Sequence, residues 1–307
     1  MLNAKKQFYL FLFSIASHLS ATAATVPVEQ LKNKSWFSSA ENCQLDKSPA
    51  IETYQYDQDT FILRQNKCVH YEAPFMYLLF GEQQAVLIDT GATKEHEKFP
   101  LAAKVSEIMA ERAQQLKLKQ ASLPLLVAHS HSHGDHIAGD SQFTNFIDTE
   151  IIKVKDTKAL ISSFSFESWP TKTSQIDLGN RVIDIIPTPG HQAQAITFYD
   201  QQTQWLLTGD SIYPGRLYVK QWPEYKDSIK RLVEFAKSHS VSAVLGAHIE
   251  MSTTPNVDYP VESSYHPNEA SLVLSLEDLY KLNHQLSKLG DKPIRVGLEK
   301  FIIYPIE

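Results

Sequence analysis

The chain has 307 residues, 43% apolar and 21% charged, which places it among ordinary globular proteins and excludes disordered tails, collagen-like fibres and coiled coils. A formal net charge of −6 without clustered Lys and Arg excludes the electrostatic footprint of a nucleic-acid-binding protein. A chain this long buries enough surface to stand without disulfide staples.

Residues 1–24 read as a cleaved secretory signal: Lys5 and Lys6, an apolar run over residues 8–16, then small residues at 21–24. The apolar run is too short to span a bilayer, and no later segment is long and apolar enough. The expected location is periplasmic or secreted, free of the membrane once the leader is removed. Residues 25–307 are expected to form a single domain. Cys43 and Cys68 either pair in an oxidising compartment or stay as separate buried thiols.

Residues 25–50 are polar and irregular and are expected to wrap the surface. Short β-rich runs follow at 60–63, 75–80 and 85–88, the last two separated by a hairpin-like Gly81–Gln84. Pro100 opens a helix with Leu101, Val105, Ile108, Met109, Ala113 and Leu116 at helical spacing. An apolar strand over 123–128 leads into the histidine-rich segment. The second half repeats the theme, with strands at 182–186, 195–199, 205–207 and 241–245. A helix starts at Pro223, an amphipathic helix covers 268–288, and strand-like sequence covers 294–306. Strands alternating with helices predict an α/β fold with helices covering the sheets.

His131-Ser132-His133-Gly134-Asp135-His136 follows the 123–128 strand directly. On an extended strand end His131 and His133 project to one side. Gly134 then allows a sharp turn that brings Asp135 and His136 back from the next helix. Three imidazoles and a carboxylate in six residues form a dense set of zinc-type ligands, whereas a merely polar loop has no need of that spacing. His191, Asp210 and His248 each repeat one design: apolar strand, small residue, ligand. His129 comes one strand step too early to be a ligand and reads as structural. Six of the 11 glycines (Gly91, Gly134, Gly139, Gly190, Gly209, Gly246) fall in these strand-end segments, where backbone turns tightly.

These motifs, together with Ile88-Asp89-Thr90-Gly91, resemble the metallo-β-lactamase superfamily of zinc hydrolases over residues 75–249. The resemblance implies an αβ/βα sandwich: two mixed sheets with helices on the outer faces. It implies two zinc ions, one held by His131, His133 and His191, the other by Asp135, His136 and His248, with Asp210 bridging. Iron or manganese also suits the second position. Asp89 would orient ligands or backbone near the site. Asp135 or Asp210 would receive or relay a proton while zinc-bound hydroxide attacks a carbonyl.

The expected reaction is hydrolysis of a small ester, lactone or thioester, with β-lactam cleavage as the alternative and a non-catalytic zinc protein as a third reading. Tyr213 resembles a tyrosine of the N-acyl homoserine lactonases that faces the substrate carbonyl; it equally suits packing beneath the loop. Glyoxalase II is a weaker match, because Gln192-Ala193-Gln194 departs from its usual continuation after His191. Arg216, Tyr218, Tyr265 and His266 are the candidate substrate-binding residues, the last two on a segment with the composition of a loop lying over the site. The partner expected is a small-molecule substrate.

Overall fold

The computed structural model describes residues 28–117, 123–146 and 148–306; the leader expected over residues 1–24 lies outside them. A short helix α1 (Val28–Lys32) precedes β1 (Ile51–Asp57), β2 (Thr60–Gln65), β3 (Phe75–Phe80), β4 (Ala85–Ile88), β5 (Leu125–Ala128) and β6 (Thr149–Ile151). These six strands form one sheet in chain order. Pairing is antiparallel from β1 to β4 and parallel from β4 to β6. Every residue of β2 to β5 is buried, as in strands covered on both faces.

Period-two alternation divides their side chains between two cores. Tyr77, Leu79, Val86, Ile88 and Ala128 face a core shared with the second sheet. Met76, Leu78, Leu87 and Val127 instead meet Val105, Ile108 and Met109 of α2 (Leu101–Gln115). Two short helices, α3 (Gly134–Ile137) and α4 (Thr157–Ser163), lead to the second half.

There β7 (Ser174–Asp177), β8 (Val182–Pro187), β9 (Ile196–Asp200) and β10 (Trp205–Gly209) form consecutive neighbours, while β11 (Arg216–Val219) leaves the sheet. β12 (Ala243–Gly246) pairs parallel with β10, and β13 (Val273–Leu274) closes the edge. The helices α5 (Trp222–Ala236) and α6 (Leu276–Leu289) press Ile229, Leu232, Leu279 and Leu282 onto Leu206 and Val244. Two mixed sheets thus lie face to face with helices outside, the αβ/βα sandwich. A third small sheet, unforeseen from the sequence, joins β11 to β14 (Val296–Gly297) and β15 (Ile302–Pro305). Among the described residues no helix is long and apolar enough to cross a membrane.

Two expectations change. The last long helix begins at Leu276 rather than residue 268, because Ser275 and Asp278 form a capping box there. The 25–50 segment is irregular but does not simply wrap the surface. Leu31 is fully buried, and Trp36 packs edge-on against Phe75 with ring centroids 4.8 Å apart. Cys43 is disulfide-bonded to Cys68.

At the strand ends remote from the histidine motifs, Arg181 ties the two sheets together. It is 2% exposed and holds Asp200 through Nη2 at 2.6 Å and Nε at 3.0 Å. Nη1 donates to the carbonyls of Asp59 (2.7 Å) and Phe80 (3.2 Å) on the other sheet. Removing one partner of such a pair strands a buried charge. Asp200→Ala should therefore lower stability by about 3–5 kcal/mol in urea denaturation; a loss under about 1 kcal/mol would show that the clamp is not structural.

Candidate metal centre

Register brings the C-terminal ends of β4 and β5 and of β8, β10 and β12 to one edge of the sandwich. Backbone bonds stitch the two sheets there, Ile196 N to Ser130 O (2.8 Å) and Phe75 N to Ala247 O (2.8 Å), while Ala247 N to Gly209 O (3.0 Å) extends the β10–β12 pairing. Asp89 leaves β4 at φ +66°, a left-handed conformation that Asp tolerates better than most residues. Gly209 has φ +51°, and a Cβ there would lie 2.5 Å from the Ser130 side chain. Only glycine lets β10 end this close to the segment that follows β5.

Two groups of donors meet at this edge. His131, His133 and His191 make the first. His131 Nε2 and His191 Nε2 each lie 3.0 Å from His133 Nδ1. Asp135, His136, Asp210 and His248 make the second. Asp135 Oδ2 is 3.1 Å from His136 Nε2 and 3.2 Å from His248 Nε2. Asp210 stands between the groups. Its Oδ1 is 3.4 Å from His136 Nε2 and 3.3 Å from His248 Nε2, while its Oδ2 is 3.4 Å from His191 Nε2.

The far nitrogens of these rings are fixed from behind. His191 Nδ1 lies 2.8 Å from the Tyr218 carbonyl and His248 Nδ1 lies 3.0 Å from the Glu72 carbonyl. Each carbonyl accepts the ring proton, so Nε2 presents its lone pair to the site. His136 Nδ1 lies 2.8 Å from Asp89 Oδ2. Asp89 is itself held by the Ser130 amide (2.7 Å) and hydroxyl (2.8 Å). His129, with Nε2 3.2 Å from Asp140 Oδ1, belongs to neither donor group.

Burial pushes the His131 and His133 pKa values down, helped by neighbouring imidazoles, so both are neutral donors. Burial also opposes charge on His136 and His248, but the adjoining carboxylates outweigh it and raise both. Burial would raise Asp135 and Asp210; the facing imidazoles prevail and hold both carboxyls well below their usual range. Yet His136 Nε2 and Asp210 Oδ1, both buried and in contact with opposite groups, make no well-aligned hydrogen bond among the described residues. Buried donors and acceptors left without an aligned partner are rare, and such atoms suit a bound water or ion. Converging nitrogen and carboxylate donors without cysteine fit divalent cations.

A cavity of about 240 Å³ opens on these groups, its wall completed by Glu72, Tyr213, Tyr218, Glu250 and Ile306. Tyr213 lies in this wall, but its hydroxyl donates to the Arg216 carbonyl, which spends its one proton. Arg216 is not part of the wall. It is 6% exposed, with Nη1 2.7 Å from Asp258 and Nη2 2.7 Å from Glu250. Tyr265 and His266 lie outside the wall too. His266 stacks on Tyr259 at 3.9 Å and contacts Glu269, which Arg64 grips twice at 2.6 Å, beside a separate cavity of about 440 Å³. Glu72, Glu250 and Ile306 were not singled out from the sequence. Glu250 stands two residues beyond His248, so the motif itself carried a signal for it; Glu72 and Ile306 belong to no motif.

The model of the metallo-β-lactamase superfamily matches residues 72–248, more than half of the chain, and the chain belongs to that superfamily. An acyl-coenzyme A thioesterase, MBLAC2, of Bos taurus is 26% identical over 204 residues, covering 56% of this chain and 72% of the relative. A hydroxyacylglutathione hydrolase of a Chelativorans species is 28% identical over 114 residues, covering 36% of this chain and 44% of the relative. Among solved structures, the metallo-β-lactamase FIM-1 of Pseudomonas aeruginosa in its mono-zinc form superposes with a TM-score of 0.51 at 13% identity, covering 80% of this chain and 99% of that one. That likeness is one of fold. Hydroxyacylglutathione hydrolases, the glyoxalase II enzymes that the sequence resembles more weakly than the lactonases, thus stand among the relatives.

Two substitutions test the geometry. Gly209→Ala should displace Ser130 and loosen the Asp89–His136 link, weakening metal affinity about 10–100-fold with the circular-dichroism spectrum retained; unchanged affinity would refute the close-approach argument. Tyr213→Phe should cost about 1 kcal/mol of stability while kcat stays within about threefold, since only a bond to backbone is lost. A kcat drop of about 10²–10³ would instead return the hydroxyl to an oxyanion-stabilising role.

Proposed function

We propose that this protein is an exported, zinc-dependent hydrolase of a small carbonyl substrate, a thioester foremost, with esters and lactones in the same class. The observation that carries the reading is Asp210, whose two oxygens face two different donor groups beneath one cavity. His131, His133 and His191 would hold one zinc, Asp135, His136 and His248 the other, with Asp210 between them. Bound there, two divalent cations supply Lewis acidity, polarising a carbonyl and lowering the pKa of water toward about 7.

The chain's own residues do the rest. The carbonyls of Tyr218 and Glu72 hold His191 and His248 in one tautomer, and Asp89 aims His136. Asp135 faces the cavity beside His136 and His248 and is the residue placed to relay a proton there. Tyr213, Tyr218 and Ile306 give the cavity an apolar side that suits a small acyl group. The names of the thioesterase and hydroxyacylglutathione hydrolase relatives support placing thioesters first. Export is supported by the leader pattern and by the Cys43–Cys68 bridge, which persists in oxidising compartments.

The mature chain, loaded with zinc, should hydrolyse a short-chain thioester faster than a lactone, a penam or a carbapenem. Chelation should abolish turnover and zinc should restore it. Asp210→Ala should lower metal content and turnover together, the latter by at least about 10²-fold. Efficient β-lactam cleavage with inert thioester and lactone would make the protein a β-lactamase, and no turnover of any substrate would favour a non-catalytic zinc protein.

A further inference from the structure

The cavity over the metal centre is lined by four carboxylates, Glu72, Asp135, Asp210 and Glu250, and, among the described residues, by no lysine or arginine. Three of the four are already engaged. Asp135 and Asp210 face His136 and His248. Glu250 accepts from the Arg216 guanidinium at 2.7 Å and the Arg216 amide at 2.6 Å. Glu72 has only long contacts, 3.4 Å to the Tyr71 hydroxyl and 3.5 Å to His70 Nδ1, and no lysine or arginine pairs with it among the described residues.

Its position is nevertheless fixed. The Glu72 carbonyl receives His248 Nδ1, and Phe75 just beyond is bonded to Ala247. On the other side, Cys68 is bridged to Cys43. Basic side chains tied to this region are spent elsewhere: Arg216 on Glu250 and Asp258, and buried Lys67 on the Tyr71 carbonyl (3.4 Å) and Glu269 (3.6 Å). Burial, and after it the neighbouring Asp135, raises the Glu72 carboxyl from its ordinary value, and this one carboxylate without a close basic partner among the described residues stands, 34% exposed, at a set place on the cavity wall.

We propose that Glu72 determines substrate charge, admitting small acyl compounds with neutral or cationic groups beside the scissile bond and disfavouring polyanionic acyl carriers. The proposal rests on the hydrolase reading above and sharpens it. Coenzyme A and glutathione, named for the relatives, are both anionic at neutral pH, so the Glu72 carboxylate works against the carriers those names specify, on top of whatever charge bound cations bring to the cavity. Like charges brought together are the usual device for refusing a wrong partner. With the carboxylate partly in water, its effect is about tenfold in kcat/KM between substrates of opposite charge.

The test compares zinc-loaded wild type and Glu72→Gln on acetylthiocholine, S-ethyl thioacetate and acetyl-coenzyme A, with metal content measured alongside. Binding of the corresponding non-hydrolysable S-ethyl thioethers is measured by calorimetry. Wild type should rank cationic above neutral above anionic, and added salt should compress the ranking. Glu72→Gln should shrink the cationic-to-anionic ratio about tenfold with zinc retained, and Glu72→Lys should invert it. Equal ratios in wild type and Glu72→Gln, or a wild-type ranking insensitive to salt, would overturn the proposal. If no thioester is turned over but the thioethers still bind in that order and lose it in Glu72→Gln, the hydrolase reading fails while Glu72 keeps its role. Should Glu72→Gln lose zinc, the salt dependence of the wild-type ranking decides.

Discussion

Asp210 has to turn one oxygen toward His191 and the other toward His136 and His248, and the architecture around it follows from that demand. The end of β10 must lie between the segment after β5, which carries His131 to His136, and the end of β12, which carries His248. Parallel pairing of β10 with β12 settles the second neighbour, with Gly209 opposite Gly246. Stacking of the two sheets settles the first, and it succeeds because Gly209 presents no side chain to Ser130. At the other end of the strands Arg181 holds the same two sheets together. The core between them fixes the spacing over which one carboxylate can serve both groups.

The donor groups were legible in the sequence because their chemistry is tied to residue type. Only a few side chains bind a divalent cation, and strand ends separated by set spacings show where they can meet. The buried strands were legible for a similar reason, since both their faces are covered and they read as apolar runs. What was illegible is carried by groups that every residue possesses. The Tyr218 and Glu72 carbonyls orient two imidazoles, yet nothing in the identity of either residue announces it. Loop composition likewise told nothing of where Tyr265 and His266 dock. Glu269, buried against Arg64, draws that segment to a different cavity. The start of α6 falls after residue 268 because Ser275 and Asp278 together make the start signal there, a pairing that apolar spacing alone does not show.

Charge explains why so polar a cluster tolerates its burial. His131, His136, His191, Asp210 and His248 are each under a tenth exposed. Bringing such groups out of water is unfavourable unless each finds a partner of opposite character. Imidazoles and carboxylates supply part of this to one another, and Asp89 and the backbone carbonyls supply more. Arg216 plays the corresponding part for Glu250 and Asp258 just behind the wall. An arginine that looked in the sequence like a substrate contact thereby serves to neutralise the protein's own acids.

The bridge between Cys43 and Cys68 also bears on the order in which the centre is assembled. Both cysteines precede every donor of the two groups along the chain. The crosslink can close as soon as they have emerged, while the residues from His131 to His248 are still to come. It shortens the range of shapes open to the segment between them, which is worth about 3 kcal/mol for a ring of this size. The Glu72 carbonyl lies just beyond this crosslinked segment and accepts from an imidazole 176 residues further along the chain.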